Sequence, residues 1–86
     1  HVGDGNFHVL PLAMPDDLDM HKKISEFSSR LTARSLEYGG TCTGEHGIGQ
    51  GKNAYLRNEM GEAVEIMHNI KTTFDPNNIL NPGKIF

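Results

Sequence analysis

The chain has 86 residues, 36% of them apolar, no tryptophan and a formal net charge of −3, which confines it to one small domain with a thin stability margin. Its acidic balance and scattered basic residues, with Lys22 and Lys23 the only adjacent pair, argue against nucleic acid as the main partner. No apolar run reaches the roughly 18 residues of a membrane span, and the single cysteine, Cys42, excludes an internal disulfide framework and fits a reducing compartment. The expected setting is cytoplasmic; the membrane periphery, or mitochondria in a eukaryote, are the alternatives. The low apolar content and a start at His1, with no initiator Met or signal peptide, lead us to expect a piece of a larger protein.

His1-Val2-Gly3-Asp4-Gly5-Asn6 reads as a turn, punctuated by Asp-Gly and Gly-Asn. Phe7-His8-Val9-Leu10-Pro11-Leu12 follows as a short strand with apolar residues on both faces, and Pro11 puts it at a sheet edge or marks its end. One strand cannot pair with itself, so its sheet must come from other sequence or another copy. Pro15-Asp16-Asp17 opens a helix whose stripe is Met20, Ile24, Phe27 and Leu31, running to about Leu36 and stopped by Tyr38-Gly39-Gly40.

A glycine-rich loop then runs from Gly39 to Lys52. Asn53 to Arg57 is expected as a helical turn. A stronger helix begins near Met60, with Met60, Val64, Met67, Ile70 and Phe74 as its buried stripe and Ala63 alongside. Asp75-Pro76 ends it, and an irregular or extended tail, Ile79 to Phe86, follows the Asn77-Asn78 turn. The expected class is α+β and helix-dominated: one short strand, two long amphipathic helices, the glycine loop and the tail.

Chemistry concentrates at the histidines and in the loop. The Gly3–Asn6 turn can fold His1 back toward His8, and two neutral imidazoles with one carboxylate form the open ligand set of a catalytic metal site. Glu45 is the carboxylate we nominate. The competing reading makes His1 an untethered terminus and His8 an ordinary strand residue. Asp4 is expected to cap turn amides. His46, next to Glu45, can project beside a bound ligand and accept a proton, since its ordinary pKa is near neutrality; the alternative is a flexible loop with two solvated polar groups. Cys42 is most simply a small apolar filler. His21 and His68 are expected at the surface and the methionines in the core. The glycines spell neither GxGxxG after a strand nor a P-loop, so neither phosphate-binding device is supported.

Three ordered motifs carry a resemblance: His1-Val2-Gly3-Asp4-Gly5-Asn6-Phe7-His8, Gly44-Glu45-His46-Gly47-Ile48-Gly49, and Phe74-Asp75-Pro76-Asn77-Asn78-Ile79-Leu80-Asn81-Pro82-Gly83-Lys84. Together they resemble the C-terminal end of FAD-linked oxidases of the vanillyl-alcohol-oxidase type. The similar branch holds D-lactate dehydrogenase (cytochrome), the glycolate oxidase D subunit and D-2-hydroxyglutarate dehydrogenase. The resemblance spans residues 1–86 and implies the C-terminal segment of a ferredoxin-like substrate (cap) domain, without the domain that binds most of the FAD. It implies a divalent metal such as Zn, Mn or Fe held by His1, His8 and Glu45, with His46 as the base. Asn6, Asn81 and Lys84 would lie near flavin and substrate.

The activity so implied is FAD-dependent oxidation of a 2-hydroxy acid to the 2-oxo acid. Metal-assisted deprotonation by His46 would accompany hydride transfer to flavin. The partners are then a small 2-hydroxy acid and the missing N-terminal part of the same protein, with self-association expected of the piece alone. The alternative is a stand-alone divalent-metal-binding or self-associating module without catalysis.

Overall fold

A computed structural model describes residues 1–86. Three helices account for its regular structure: α1 (Leu18–Glu37), α2 (Asn53–Met60) and α3 (Ala63–Phe74). The chain divides into two compact units, His1–Glu45 and His46–Phe86.

The first unit opens with a single 3-10 turn, Val2–Asp4, closed by Asp4 N–H to His1 O (2.9 Å) and Gly5 N–H to Val2 O (3.1 Å). The expected strand over Phe7–Leu12 is not formed, and the structure contains no β-strand. The segment has the composition of a strand but no second strand to supply ladder hydrogen bonds, and Pro11 has no N–H to offer one. No sheet of a ferredoxin-like cap is therefore present within these residues. Leu10 and Leu12 point their side chains almost wholly into solvent, at 84% and 91% exposure.

Helix α1 begins where its cap dictates. Asp17 accepts the Met20 N–H at 2.9 Å, satisfying one of the first-turn amides that have no intrahelical acceptor. Asp19 and Lys23 pair one turn apart, and Arg34 binds Glu37 at 2.7 Å while its guanidinium lies over the Tyr38 ring. The helix ends after Glu37. Gly39 takes φ +75°, a conformation that a Cβ disfavours, and its N–H returns to Leu36 O while Gly40 N–H returns to Ser35 O. Ile24 and Leu31 of the predicted stripe are half-buried, but Met20 and Phe27 are exposed, so the apolar face is incompletely covered. Cys42 is buried, as suits a thiol acting as a small apolar filler.

In the second unit the helical turn expected from Asn53 to Arg57 is a full helix, α2, running to Met60, and the helix expected from near Met60 starts at Ala63 as α3. Gly61 breaks the chain between α2 and α3, donating its N–H to Arg57 O (2.9 Å) and receiving Val64 N–H at its carbonyl (3.3 Å). The Arg57 guanidinium then bridges the two helices to Glu65 at 2.7 Å. Leu56 from α2 and Val64 from α3 are the buried apolar pair of this unit. Of the predicted stripe, Val64 is buried and Met67 half-buried, whereas Met60, Ile70 and Phe74 are exposed. A stripe read by periodicity requires a facing surface, and within this unit the outer part of the stripe has none.

Candidate functional site

Within the first unit, three residues converge on one carboxylate. The turn at Val2–Asp4 and the Asn6 N–H to His1 O bond (3.3 Å) fold the chain's first six residues on themselves. As a result His1 Nδ1 lies 3.8 Å from Glu45 Oε2 and His8 Nε2 lies 3.1 Å from Glu45 Oε1. The Asn6 side-chain amide donates to Glu45 Oε2 at 3.3 Å. The His1 side chain is two-thirds exposed, and those of His8 and Glu45 are a little under half exposed.

Glycine at 44 is a steric requirement of this arrangement. A Cβ there would collide with the side-chain oxygen of Asn6, the residue that holds Glu45. Asn6 is thus placed against the carboxylate, a contact the sequence alone does not disclose.

The donor set suits a divalent ion. Nitrogen and oxygen atoms bound at about 2.0–2.1 Å to a common centre sit roughly 3 Å apart, close to the spacing of His8 and Glu45 here. Imidazole nitrogen with carboxylate oxygen is also the chemistry that zinc and similar ions accept. The Asn6 amide fixes one Glu45 oxygen, the kind of contact by which an outer partner would orient a carboxylate ligand.

The remaining expected site residues belong to the second unit. His46 opens it and is exposed; the peptide bond keeps its Cα about 3.8 Å from that of Glu45. Asn81 and Lys84 are exposed on the tail, whose course is fixed at both ends. At the start, Asp75, 5% exposed, accepts the Ile79 and Leu80 N–H groups at 2.9 Å each, together with the Lys71 ammonium. At the finish, Ile85 N–H donates to Gly49 O at 2.7 Å, and the Phe86 ring meets His68 edge-on at 5.5 Å.

Asp75 is the residue that sequence reading missed, having been taken only as a helix terminator. No local pattern announces this role, because the Ile79 and Leu80 amides reach Asp75 only once the tail folds back over the helix end. The Lys71 hydrogen bond holds its carboxyl below the usual range; burial opposes this, and the two backbone amides reinforce it. His21 is exposed, as expected, and hydrogen-bonds Met14 O at 3.0 Å.

The family described as FAD linked oxidases, C-terminal domain, matches residues 1–85. The chain is 52% identical over 86 residues to a probable D-lactate dehydrogenase, mitochondrial, of Danio rerio, covering 99% of this chain and 17% of that protein. It is 39% identical over 87 residues to the glycolate oxidase subunit GlcD of Bacillus subtilis, covering 100% and 18%. To a D-2-hydroxyglutarate dehydrogenase of Stutzerimonas stutzeri it is 39% identical over 90 residues, covering 100% and 19%. The chain therefore spans less than a fifth of the length of each of these relatives. With a family match that runs from the first histidine through the tail, this chain belongs to the FAD linked oxidases, as their C-terminal domain.

Proposed function

We propose that residues 1–86 form the C-terminal segment of the substrate domain of an FAD-dependent 2-hydroxy acid dehydrogenase. The remaining polypeptide would complete a ferredoxin-like cap and supply the domain that binds most of the FAD. The substrate class is D-lactate, glycolate or D-2-hydroxyglutarate, the compounds named by the relatives. The carrying observation is the convergence of His1, His8 and Asn6 on Glu45.

In this reading His1, His8 and Glu45 hold a divalent ion such as Zn, Mn or Fe. Asn81 and Lys84, exposed polar groups on a tail fixed at both ends, suit the polar edge of the flavin ring. A bound ion would supply Lewis-acid polarisation of the substrate hydroxyl, and a bound flavin would serve as the acceptor for the hydride from the substrate carbon. The chain's own residues position and move the proton. Asn6 fixes the Glu45 carboxylate by its amide, so the ligand oxygen does not wander. His46, held one residue from Glu45, accepts the hydroxyl proton on a ring nitrogen, and the substrate leaves as the 2-oxo acid. Location follows from the intact protein, with mitochondria the setting in a eukaryote, as the name of the Danio rerio relative says of that protein.

The test is His46→Asn in the full-length flavin-loaded protein. Turnover should fall by roughly a hundred- to ten-thousandfold, with flavin still bound. Near-normal turnover would sink the assignment of His46 as base.

Exposed apolar side chains favour a second statement about the piece alone. Phe7, Leu10 and Leu12 of the unpaired segment and Phe74 of α3 face solvent, so the separated chain would self-associate. A metal-binding module with no redox role is the competing reading, and the His46→Asn measurement separates the two.

A further inference from the structure

Asp75 is the only charged residue that the chain buries. A buried carboxylate is costly to desolvate unless both its oxygens are fully engaged. Here the engagement is divided. Oδ1 accepts the Ile79 amide, while Oδ2 accepts the Leu80 amide and the Lys71 ammonium.

Those two amides lie immediately before Asn81-Pro82-Gly83-Lys84. The arch over these four residues is closed by Lys84 N–H to Asn81 O at 3.2 Å, and beyond it Ile85 N–H is tied to Gly49 O. Ile85 sits at φ +70°, a left-handed conformation that a β-branched residue enters only under constraint. The arch is thus tied between a buried acid on one side and the Gly49 carbonyl on the other.

We propose that Asp75 is a positioning residue, which fixes the tail through the Ile79 and Leu80 amides so that Asn81 and Lys84 face the flavin. The inference rests on the proposed function for its flavin. A carboxylate suits this role better than an amide because it accepts on both oxygens. Asparagine keeps one acceptor and sets an N–H2 group against the second backbone N–H.

The experiment compares Asp75→Asn with Leu56→Ala, a core change in the same unit, in the full-length flavin-loaded protein. Four quantities are read: thermal midpoint, flavin absorption and fluorescence, kcat, and amide hydrogen exchange over residues 79–84. Asp75→Asn should speed exchange at Ile79 or Leu80, alter the flavin spectrum and lower kcat by about ten- to a hundredfold. Leu56→Ala should lower the thermal midpoint while leaving spectrum and kcat near wild type. Should Asp75→Asn not fold, Asp75→Glu, which overshoots the amides by one methylene, is expected to give the same pattern.

Wild-type spectrum and kcat in the Asp75 variant overturn the assignment. So does a Leu56→Ala variant that reproduces its spectral and kinetic changes, since the effect is then general destabilisation. A wild-type protein purified without flavin, its Ile79 and Leu80 amides still slow to exchange, overturns the flavin reading itself and the role given to Asp75 with it. These failures are distinguishable because the last is seen before any substitution is made.

Discussion

At the scale of single residues, Asn6 and Gly44 work as a pair. The Asn6 amide holds Glu45, and only the missing Cβ at position 44 leaves room for it. The obstructed atom is the tip of a flexible side chain, so in Gly44→Ala the Asn6 side chain swings away rather than the backbone shifting. Gly44→Ala should therefore mimic Asn6→Ala. Each is expected to weaken divalent-ion affinity by about ten- to a hundredfold, the usual effect of losing a partner of a ligating side chain. The double variant should be no worse than either single one, since both remove the same contact. Titration of the metal-free protein with Zn2+ checks this, and simple additivity would contradict it. His8→Ala, which removes a proposed ligand rather than its support, should abolish stoichiometric metal. The histidines and Glu45 were legible in the sequence because their chemistry is carried by residue type. The Asn6 contact was not, because it depends on where a glycine 38 residues later brings the loop.

Elements were legible to the extent that their signals are local. The Asp17 cap, the α1 stripe and the glycine stop all lie within a few residues of what they control. The two helical segments after the loop are legible, but their boundary is displaced: the apolar spacing from Met60 to Val64 continues across Gly61, so Met60 reads as the start of α3 when it is the end of α2. The strand at Phe7–Leu12 was expected from composition, but a strand is a relation between two segments and only one is here. Asp75 shows the same limit, since its acceptors are filled only once the tail folds back. Its lowered pKa carries a signed prediction. A group whose folded pKa lies below its unfolded value stabilises the fold above the ordinary carboxylate range, and this stability is lost as pH falls through the folded pKa. Tail protection, read by amide exchange at Ile79 and Leu80, should hold from neutrality down to that range and decline below it. Asp75→Asn should flatten the dependence. At the helix pair, Leu56→Ala should cost about 2–3 kcal/mol, the lower part of the range for a buried leucine because so little surrounds it. Denaturant midpoints measure it.

For the whole molecule, the balance of apolar surface is the governing fact. Cys42, Leu56 and Val64 are its only buried apolar residues, while large side chains such as Val2, Leu10, Leu12, Leu18, Phe74 and Ile79 are each more than 70% exposed. Exposed apolar surface is normal when scattered; concentrated in residues 7–12, which have the composition of a strand and no ladder partner, it is suited to act as an open sheet edge. Two surfaces can close that edge: the rest of the polypeptide, or a second copy. The proposed cap domain makes the first the natural cover and leaves the second to the separated chain. We therefore expect the 86-residue chain to self-associate through residues 7–12, and light scattering at high concentration to show a dimer or larger species. Leu10→Lys, which sets a charge at a position 84% exposed in the single chain, should return it toward monomer, because an edge lysine must be buried for strands to pair. In the full-length protein the same amides should instead be protected from exchange at any concentration. A clean monomer of the unmodified 86-residue chain, or association that Leu10→Lys leaves untouched, would place the cohesive surface elsewhere and turn attention to the uncovered faces of α1 and α3.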